Sequence, residues 1–190
     1  MAVHRRTGPE QEPRHGLHAT LDRTRLVPAS SPMSDLHPNA ARVMAAAGER
    51  GVVVEIRRFP DGTRTAVDAA AAIGVDVGQI LKSLIFEVDG EVVLAYVSGT
   101  NQLDEQKLAG AAGGVRCDRV DADAVRAATG YPIGGVPPFG HATPLRVFVD
   151  PDLLVYDEAW AAAGTPHDVF GIAPAELVRA SGGNVTALKR

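Results

Sequence analysis

The clearest local pattern of apolar positions runs over residues 81–98. LKSLIFEV (81–88) and EVVLAYVS (91–98) are two β-type runs on either side of Asp89-Gly90. An Asp-Gly pair between such runs signals a two-residue hairpin turn, because glycine accepts the positive φ that the turn requires. Upstream, Ala41, Met44, Ala45 and Ala47 recur at helical spacing within residues 38–50, and Gly51 stops the pattern. Residues 52–59 (VVVEIRRF) predict a strand, followed by a turn at Pro60-Asp61-Gly62. An alanine-rich helix is expected over 66–73, with Thr65 placed to cap it and Gly74 to end it. The pattern then predicts a helix over 103–112 with Asp104 near its start, a short strand over 115–118, and a helix capped by Asp121 running through Ala128. Strands are expected at 145–149, 153–156 and Val169-Phe170, and a last helix at 174–180 opens on Pro174. Helices and strands intermix and include an antiparallel pair, so the expected class is α+β with a mixed sheet.

Composition narrows this picture. A chain of 190 residues with 45% apolar content can build one core. Residues 1–33 show no apolar periodicity and are expected to form a disordered or poorly ordered tail, leaving residues 34–190 as one domain. Met33 stands just before the first helical pattern as a candidate natural start. Cys117 is the one cysteine, so no disulfide can form within the chain, as suits a reducing compartment. No stretch approaches the roughly 20 apolar residues that span a bilayer, and the amino-terminal arginines precede no secretory apolar run. The expectation is a cytoplasmic protein without membrane contact. Net charge is −4, and residues 1–33 carry five arginines against three acids, which leaves −6 on the rest. An acidic body holds a phosphate backbone weakly and transiently, through a few cations gathered at one mouth.

Two features could carry chemistry. Lys82 lies inside an apolar strand, so it either reaches outward to the rim or meets an anion in a cleft. Residues 130–141 (GYPIGGVPPFGH) form a loop rich in glycine and proline. Glycines let a backbone approach a ligand and prolines fix the loop's shape, which suits N–H groups aimed at a carbonyl or developing oxyanion; a structural turn is the alternative. The loop lacks the lysine of a phosphate-binding P-loop. Metal templates such as His-Glu-x-x-His and Cys-x-x-Cys are absent, as is Gly-x-Ser-x-Gly, so no metal or cofactor is expected. Ser98, His141 and Asp150 as a triad is a trio any chain of this size offers, and Cys117 reads as a small core residue.

Together these pieces resemble the YbaK and prolyl-tRNA-synthetase-associated (INS-like) aminoacyl-tRNA editing domains. The resemblance rests on the run Phe59-Pro60-Asp61-Gly62-Thr63-Arg64-Thr65-Ala66, on Lys82-Ser83-Leu84-Ile85-Phe86, on Asn101-Gln102-Leu103-Asp104 after the hairpin, and on a Gly-x-x-x-Pro motif at Gly134 to Pro138. It covers about residues 38–182. It implies a compact α/β domain whose curved mixed sheet is flanked by short helices, and a deacylase that hydrolyses mischarged tRNA. By the resemblance, Lys82 positions the ester through the terminal phosphate or ribose, and Gly134 with Gly135 holds the carbonyl through backbone N–H groups. Phe59, Thr65 and Ser83 line the amino-acid pocket, Pro138 closes the motif, and His141 orients water or pocket groups.

Departures from the cysteinyl-tRNA editing relatives bear on specificity. Phe59 replaces a tyrosine, Thr65 replaces an aromatic, and Ala163-Gly164-Thr165-Pro166-His167 stands where those relatives have Ser-Gly-Gly. Gly164 keeps the turn and His167 reaches the pocket rim. Proline tRNA carrying Ala, Cys, Ser or Thr is therefore the expected substrate class, met as a monomer or weak homodimer, with an aminoacyl-tRNA synthetase as candidate partner. Attack by water is favoured over attack by the substrate's own side chain. The competing expectation is a non-catalytic module that senses an amino acid or nucleotide in the same cleft; a small-molecule ester hydrolase is a third.

Overall fold

A computed structural model describes residues 36–59 and 65–190. The tail expected over 1–33 and the turn at Pro60-Asp61-Gly62 lie outside the described residues. In chain order the elements are α1 (Pro38–Gly48), β1 (Ile56–Arg58), α2 (Ala66–Ile73), β2 (Leu81–Val88), β3 (Glu91–Ser98), α3 (Glu105–Ala112), β4 (Cys117–Arg119) and α4 (Ala122–Thr129). There follow β5 (Arg146–Val149), β6 (Ala159–Thr165), β7 (Asp168–Ile172), α5 (Pro174–Ser181) and β8 (Asn184–Val185), with short 3-10 turns at Val77–Gln79 and Pro151–Val155.

The β2–β3 hairpin is the centre of the fold. Asp89 (φ 49°) and Gly90 (φ 91°) both take positive φ, as a turn matching the strands' own twist requires. The strands pair antiparallel from Leu81 opposite Ser98 to Val88 opposite Glu91. Around them runs a five-stranded sheet of order β4-β2-β3-β5-β8, in which β5 lies parallel to β3 and β8 parallel to β5. A second, three-stranded antiparallel sheet has the order β1-β7-β6. The class is the expected α+β, but the strands divide between two sheets where one curved sheet was expected. The sheets touch at a bridge between Ile80 and Trp160.

That division creates an opening. On the side of β2 away from β3, Phe86 to Val88 pair with β4, and Ile80 meets Trp160. From Leu81 to Ile85, β2 has ladder partners only on β3 among the described residues. A free strand edge offers backbone N–H and C=O groups to whatever lies beside it.

One core cluster unites both sheets, with Leu81, Leu94, Tyr96 and Val149 from the larger and Ala161 and Phe170 from the smaller, closed by Val43 and Ala47 of α1. A second cluster, including Phe86, Val93, Val97 and Phe148, is covered by Leu108 and Ala109 of α3.

Two strand expectations need correction, and one strand was not expected. Over 52–55 no ladder forms; Val52 and Val54 are buried while Val53 is 99% exposed, and pairing begins at Ile56. Residues 153–156 do not form a strand. The Asp150 carboxylate accepts from the Asp152 amide, and Pro151 opens a 3-10 turn there. The alanine-rich stretch 159–165 (AWAAAGT), not assigned from sequence, is β6 and is buried along nearly its whole length.

Candidate functional site

The loop over 130–140 lies across the open edge of β2 and is fastened at several points. Gly130 ends α4 in the left-handed region at φ 76°. Arg42 of α1 donates to the Gly130 carbonyl at 2.9 Å and to the Tyr131 hydroxyl at 2.8 Å, and its guanidinium stacks 3.8 Å above the Tyr131 ring. From below, the buried Tyr96 hydroxyl donates to the Pro138 carbonyl at 3.2 Å.

Between loop and strand edge runs a cleft of two chambers. The smaller, about 330 Å³, includes Thr65, Ala69, Lys82, Trp160 and Ala162 in its walls. The larger, about 490 Å³, includes Phe86, Gln102, Arg119, Val125 and Arg190. Ser83, Leu84, Ile133, Gly134 and Val136 border both, so Gly134 stands where the chambers meet.

The structure therefore places Lys82, Ser83, Thr65 and Gly134 along one cleft. The Lys82 ammonium donates to the Asn101 carbonyl. The Asn101 side chain in turn donates to the carboxylates of Asp150 at 2.6 Å and Asp152 at 2.9 Å, and Lys189 reaches Asp152 at 2.6 Å. Asp150 is fully buried. Burial holds the Lys82 ammonium below the usual lysine pKa, and the Asp150 charge works against that fall. Thr65 serves a second purpose as N-cap of α2, in a capping box with Asp68. Ser83 Oγ and Trp160 Nε1 are buried without a hydrogen-bond partner among the described residues, and both residues line the smaller chamber.

The two loop glycines differ. Gly134 is exposed and sits at φ 81°, and a Cβ there would first meet Pro166 Cγ at 4.0 Å. Conformation, and not space, demands glycine. The methyl of an alanine would not crowd the site by contact. Gly135 is buried; its N–H donates to the Pro132 carbonyl at 3.0 Å, and a Cβ would lie 2.9 Å from Thr165 Cα and 3.0 Å from the Gly164 carbonyl. Of the two amides expected to face a carbonyl, that of Gly135 is engaged by Pro132 while Gly135 packs closely on β6, and that of Gly134 has no partner among the described residues.

Other expected contacts fall elsewhere. Pro138 is buried beneath the loop, where its carbonyl receives Tyr96. His141 lies behind the loop, its Nε2 2.7 Å from the Pro137 carbonyl. Burial lowers its pKa, the Pro137 contact opposes this, and the charges of Arg50 and Arg42 lower it further. Gly164 and His167 line a third hollow with His37, Arg58 and Arg126. Gly164 packs on α1, where Asn39 donates to its carbonyl at 2.9 Å. Phe59 packs behind the smaller chamber against the cluster holding Ala69, Ile80 and Trp160, and its amide donates to the His167 carbonyl at 2.8 Å. The trio Ser98, His141 and Asp150 makes no shared bond; Ser98 donates to the Gly78 carbonyl at 2.7 Å. Burial, with the nearby carboxylates of Glu105 and Asp118, pushes the Cys117 thiol up to about 11, which disfavours the nucleophilic thiolate.

Sequence reasoning missed Asn101 as the tie between Lys82 and Asp150, Trp160 as a chamber wall, and Arg119 and Arg190 at the larger chamber. The Asp-Pro-Asp run at 150–152 carried a capping signal that could have located the first.

The profile of the aminoacyl-tRNA editing domain matches residues 60–180. The uncharacterized protein YwhH of Bacillus subtilis is 29% identical over 65% of this chain and 78% of its own. A proline--tRNA ligase of Maridesulfovibrio salexigens is 31% identical over 67% of this chain, which spans only 22% of the ligase. Among solved structures, a candidate trans-editing enzyme for prolyl tRNA synthetase superposes with a TM-score of 0.78 at 45% identity, over 82% of this chain and 99% of its own. The hypothetical protein APE2540 superposes at 0.72 with 30% identity, over 78% and 99%. The chain belongs to the aminoacyl-tRNA editing domain family.

Proposed function

We propose that this chain is a trans-acting deacylase that hydrolyses the ester of a mischarged tRNA, with proline tRNA bearing Ala, Cys, Ser or Thr as the substrate class. The observation that carries this is the shared cleft of Lys82 and Gly134, one supplying a cation and the other an amide without a partner among the described residues. The matches to proline--tRNA ligases and to a candidate trans-editing enzyme for prolyl tRNA synthetase support the choice of tRNA; delivery by a synthetase belongs to the same proposal.

An aminoacyl ester is already activated, so placement and charge stabilisation supply most of what hydrolysis needs. Lys82, steadied by Asn101, positions the ester at its ribose oxygen. Water adds to the ester carbonyl carbon, and the developing oxyanion accepts from the Gly134 N–H. Collapse breaks the bond to the ribose oxygen, which takes a proton, releasing free amino acid and deacylated tRNA. Thr65, Ser83 and the walls of the smaller chamber surround the amino-acid side chain. A contact there worth one methylene discriminates by about 1–3 kcal/mol, so several small amino acids fit.

The test is a panel of proline tRNAs charged with alanine, cysteine, serine or threonine. The wild type is expected to deacylate at least one, and Lys82→Ala to abolish that rate with an unchanged circular dichroism spectrum. Retained activity in Lys82→Ala overturns the lysine's role. The net charge of −6 beyond residue 33 favours one alternative, a sensing module; binding without hydrolysis across the panel selects it.

A further inference from the structure

Gly134 stands at the junction of two chambers that differ in size and in charge, and we infer that the junction divides the substrate: the aminoacyl group enters the smaller chamber, and the terminal nucleoside enters the larger, its phosphates held by Arg119 and Arg190. This rests on the deacylase proposal. An ester whose carbonyl meets the Gly134 amide sends its acyl group and its ribose in opposite directions, and the cleft opens in two directions from that point.

The walls assign the sides. Small residues of α2 and β6, Ala69 and Ala162, border the smaller chamber, whose cation Lys82 is half-buried and tied to Asn101. That space suits a short side chain, and among the described residues its one cation is already tied. The larger chamber has an apolar wall of Phe86, Val125 and Ile133 against which a base can lie, and Gln102, whose amide can both donate to and accept from a base edge. Neither of its two arginines is tightly held. The Arg119 side chain is 82% exposed, and its ion pair with Glu105 is long at 3.6 Å, a pairing that solvent leaves weak. Arg190 is exposed, has no side-chain partner among the described residues, and is held at the rim by its amide, which donates to the Gln102 carbonyl at 3.0 Å. Two such guanidiniums at one mouth are the concentrated cation source that an acidic body needs to capture a phosphate chain.

The experiment compares wild type, Arg119→Ala, Arg190→Ala and Ala162→Val on two esters of whichever amino acid the wild type removes: the full tRNA and the corresponding aminoacyl-adenosine, which has no phosphate. Each arginine variant is expected to raise KM on tRNA about tenfold, with a smaller change in kcat. The salt slope of log kcat/KM should flatten by about 0.7–0.9 for each phosphate that is no longer neutralised, and the loss on aminoacyl-adenosine should be at least fivefold smaller. Ala162→Val is expected to shift the ranking of amino acids toward smaller side chains while KM for tRNA moves less than twofold. Equal losses on both esters, or an unchanged KM in both arginine variants, overturn the assignment; an altered amino-acid ranking in the arginine variants reverses it. If the wild type hydrolyses no member of the panel, the deacylase proposal fails separately. Calorimetric binding of adenosine monophosphate then decides the larger chamber: affinity lowered about tenfold in Arg119→Ala supports it, and equal affinity overturns it.

Discussion

Gly134 and Gly135 are neighbours in sequence, yet alanine should injure them in different ways. At Gly134 the added methyl has room, with Pro166 Cγ as its first contact at 4.0 Å, but φ is 81°. A non-glycine residue in the left-handed region costs roughly 1–2 kcal/mol, which the loop can relieve by rotating the peptide and so reorienting the N–H proposed to meet the oxyanion. Gly134→Ala is therefore expected to lower kcat for deacylation about a hundredfold, the scale of losing an oxyanion donor, with Tm reduced by only a few degrees. At Gly135 the methyl would press on backbone, 2.9 Å from Thr165 Cα and 3.0 Å from the Gly164 carbonyl. Gly135→Ala should lower stability by about 1–3 kcal/mol, as overpacking does. Thermal melts beside single-turnover rates separate the two, and a Gly134→Ala that melts early while hydrolysing normally would remove Gly134 from the mechanism. The sequence marked this pair because four glycines in twelve residues are conspicuous. It could not say which amide was free, since the Pro132 carbonyl claims Gly135 only once the loop has turned.

Among the elements, β1, β6 and β7 are joined by one carboxylate. Arg58 of β1 donates to both Asp168 oxygens at 2.8 and 2.9 Å, and Thr165 of β6 donates to Asp168 at 2.6 Å. Burial by itself would raise the Asp168 pKa; the bonds from Arg58 and Thr165 outweigh it and hold the carboxyl below the usual 3.8. A depressed carboxylate pKa contributes stability that is present above the unfolded value and is lost as pH falls through the folded one. Asp168→Asn should thus lower Tm at pH 7 and flatten the decline of Tm below pH 3.8. With Arg58 46% exposed, solvent screens the pair, so the cost at pH 7 is about 1–2 kcal/mol, or about 3–6 °C. Parallel acid limbs in the two proteins would contradict this linkage. The same three strands show where sequence pattern reached its limit. The β2–β3 hairpin was legible because two apolar runs rich in β-formers and the Asp-Gly turn between them are all local. β6 was not, because a run of alanines has no β-branched signal and becomes a strand only through close packing: Gly164 lies against Asn39 of α1, where any Cβ would fall 2.7 Å from the Asn39 side chain. The two-chamber cleft was hidden for a related reason. It arises where β4 stops pairing and β6 has not begun, a gap between strands distant in sequence.

At the scale of the whole molecule, the two sheets raise the question of whether they unfold as separate units. Among the described residues they meet in one ladder contact, the Ile80–Trp160 bridge, which would be a weak joint by itself. The side chains give a different answer. Buried residues of both sheets belong to a single cluster, with Tyr96 and Val149 of the larger sheet in the same core as Ala161 and Phe170 of the smaller. Phe139 of the glycine-rich loop stacks on Phe170 with ring centroids 6.2 Å apart, so the loop over the cleft is fixed to that core as well. A core that is continuous cannot lose one sheet without exposing apolar surface of the other, at about 25 cal/mol for each Å² uncovered. Unfolding is therefore expected to be one cooperative transition for both sheets. Trp160, the chain's one tryptophan, sits on the smaller sheet beside the cleft and reports its environment by fluorescence, while far-ultraviolet circular dichroism reports the helices and both sheets together. In urea the two signals should give the same midpoint and slope. An earlier fluorescence transition would show that the smaller sheet separates first, and with it the wall of the chamber proposed for the amino acid.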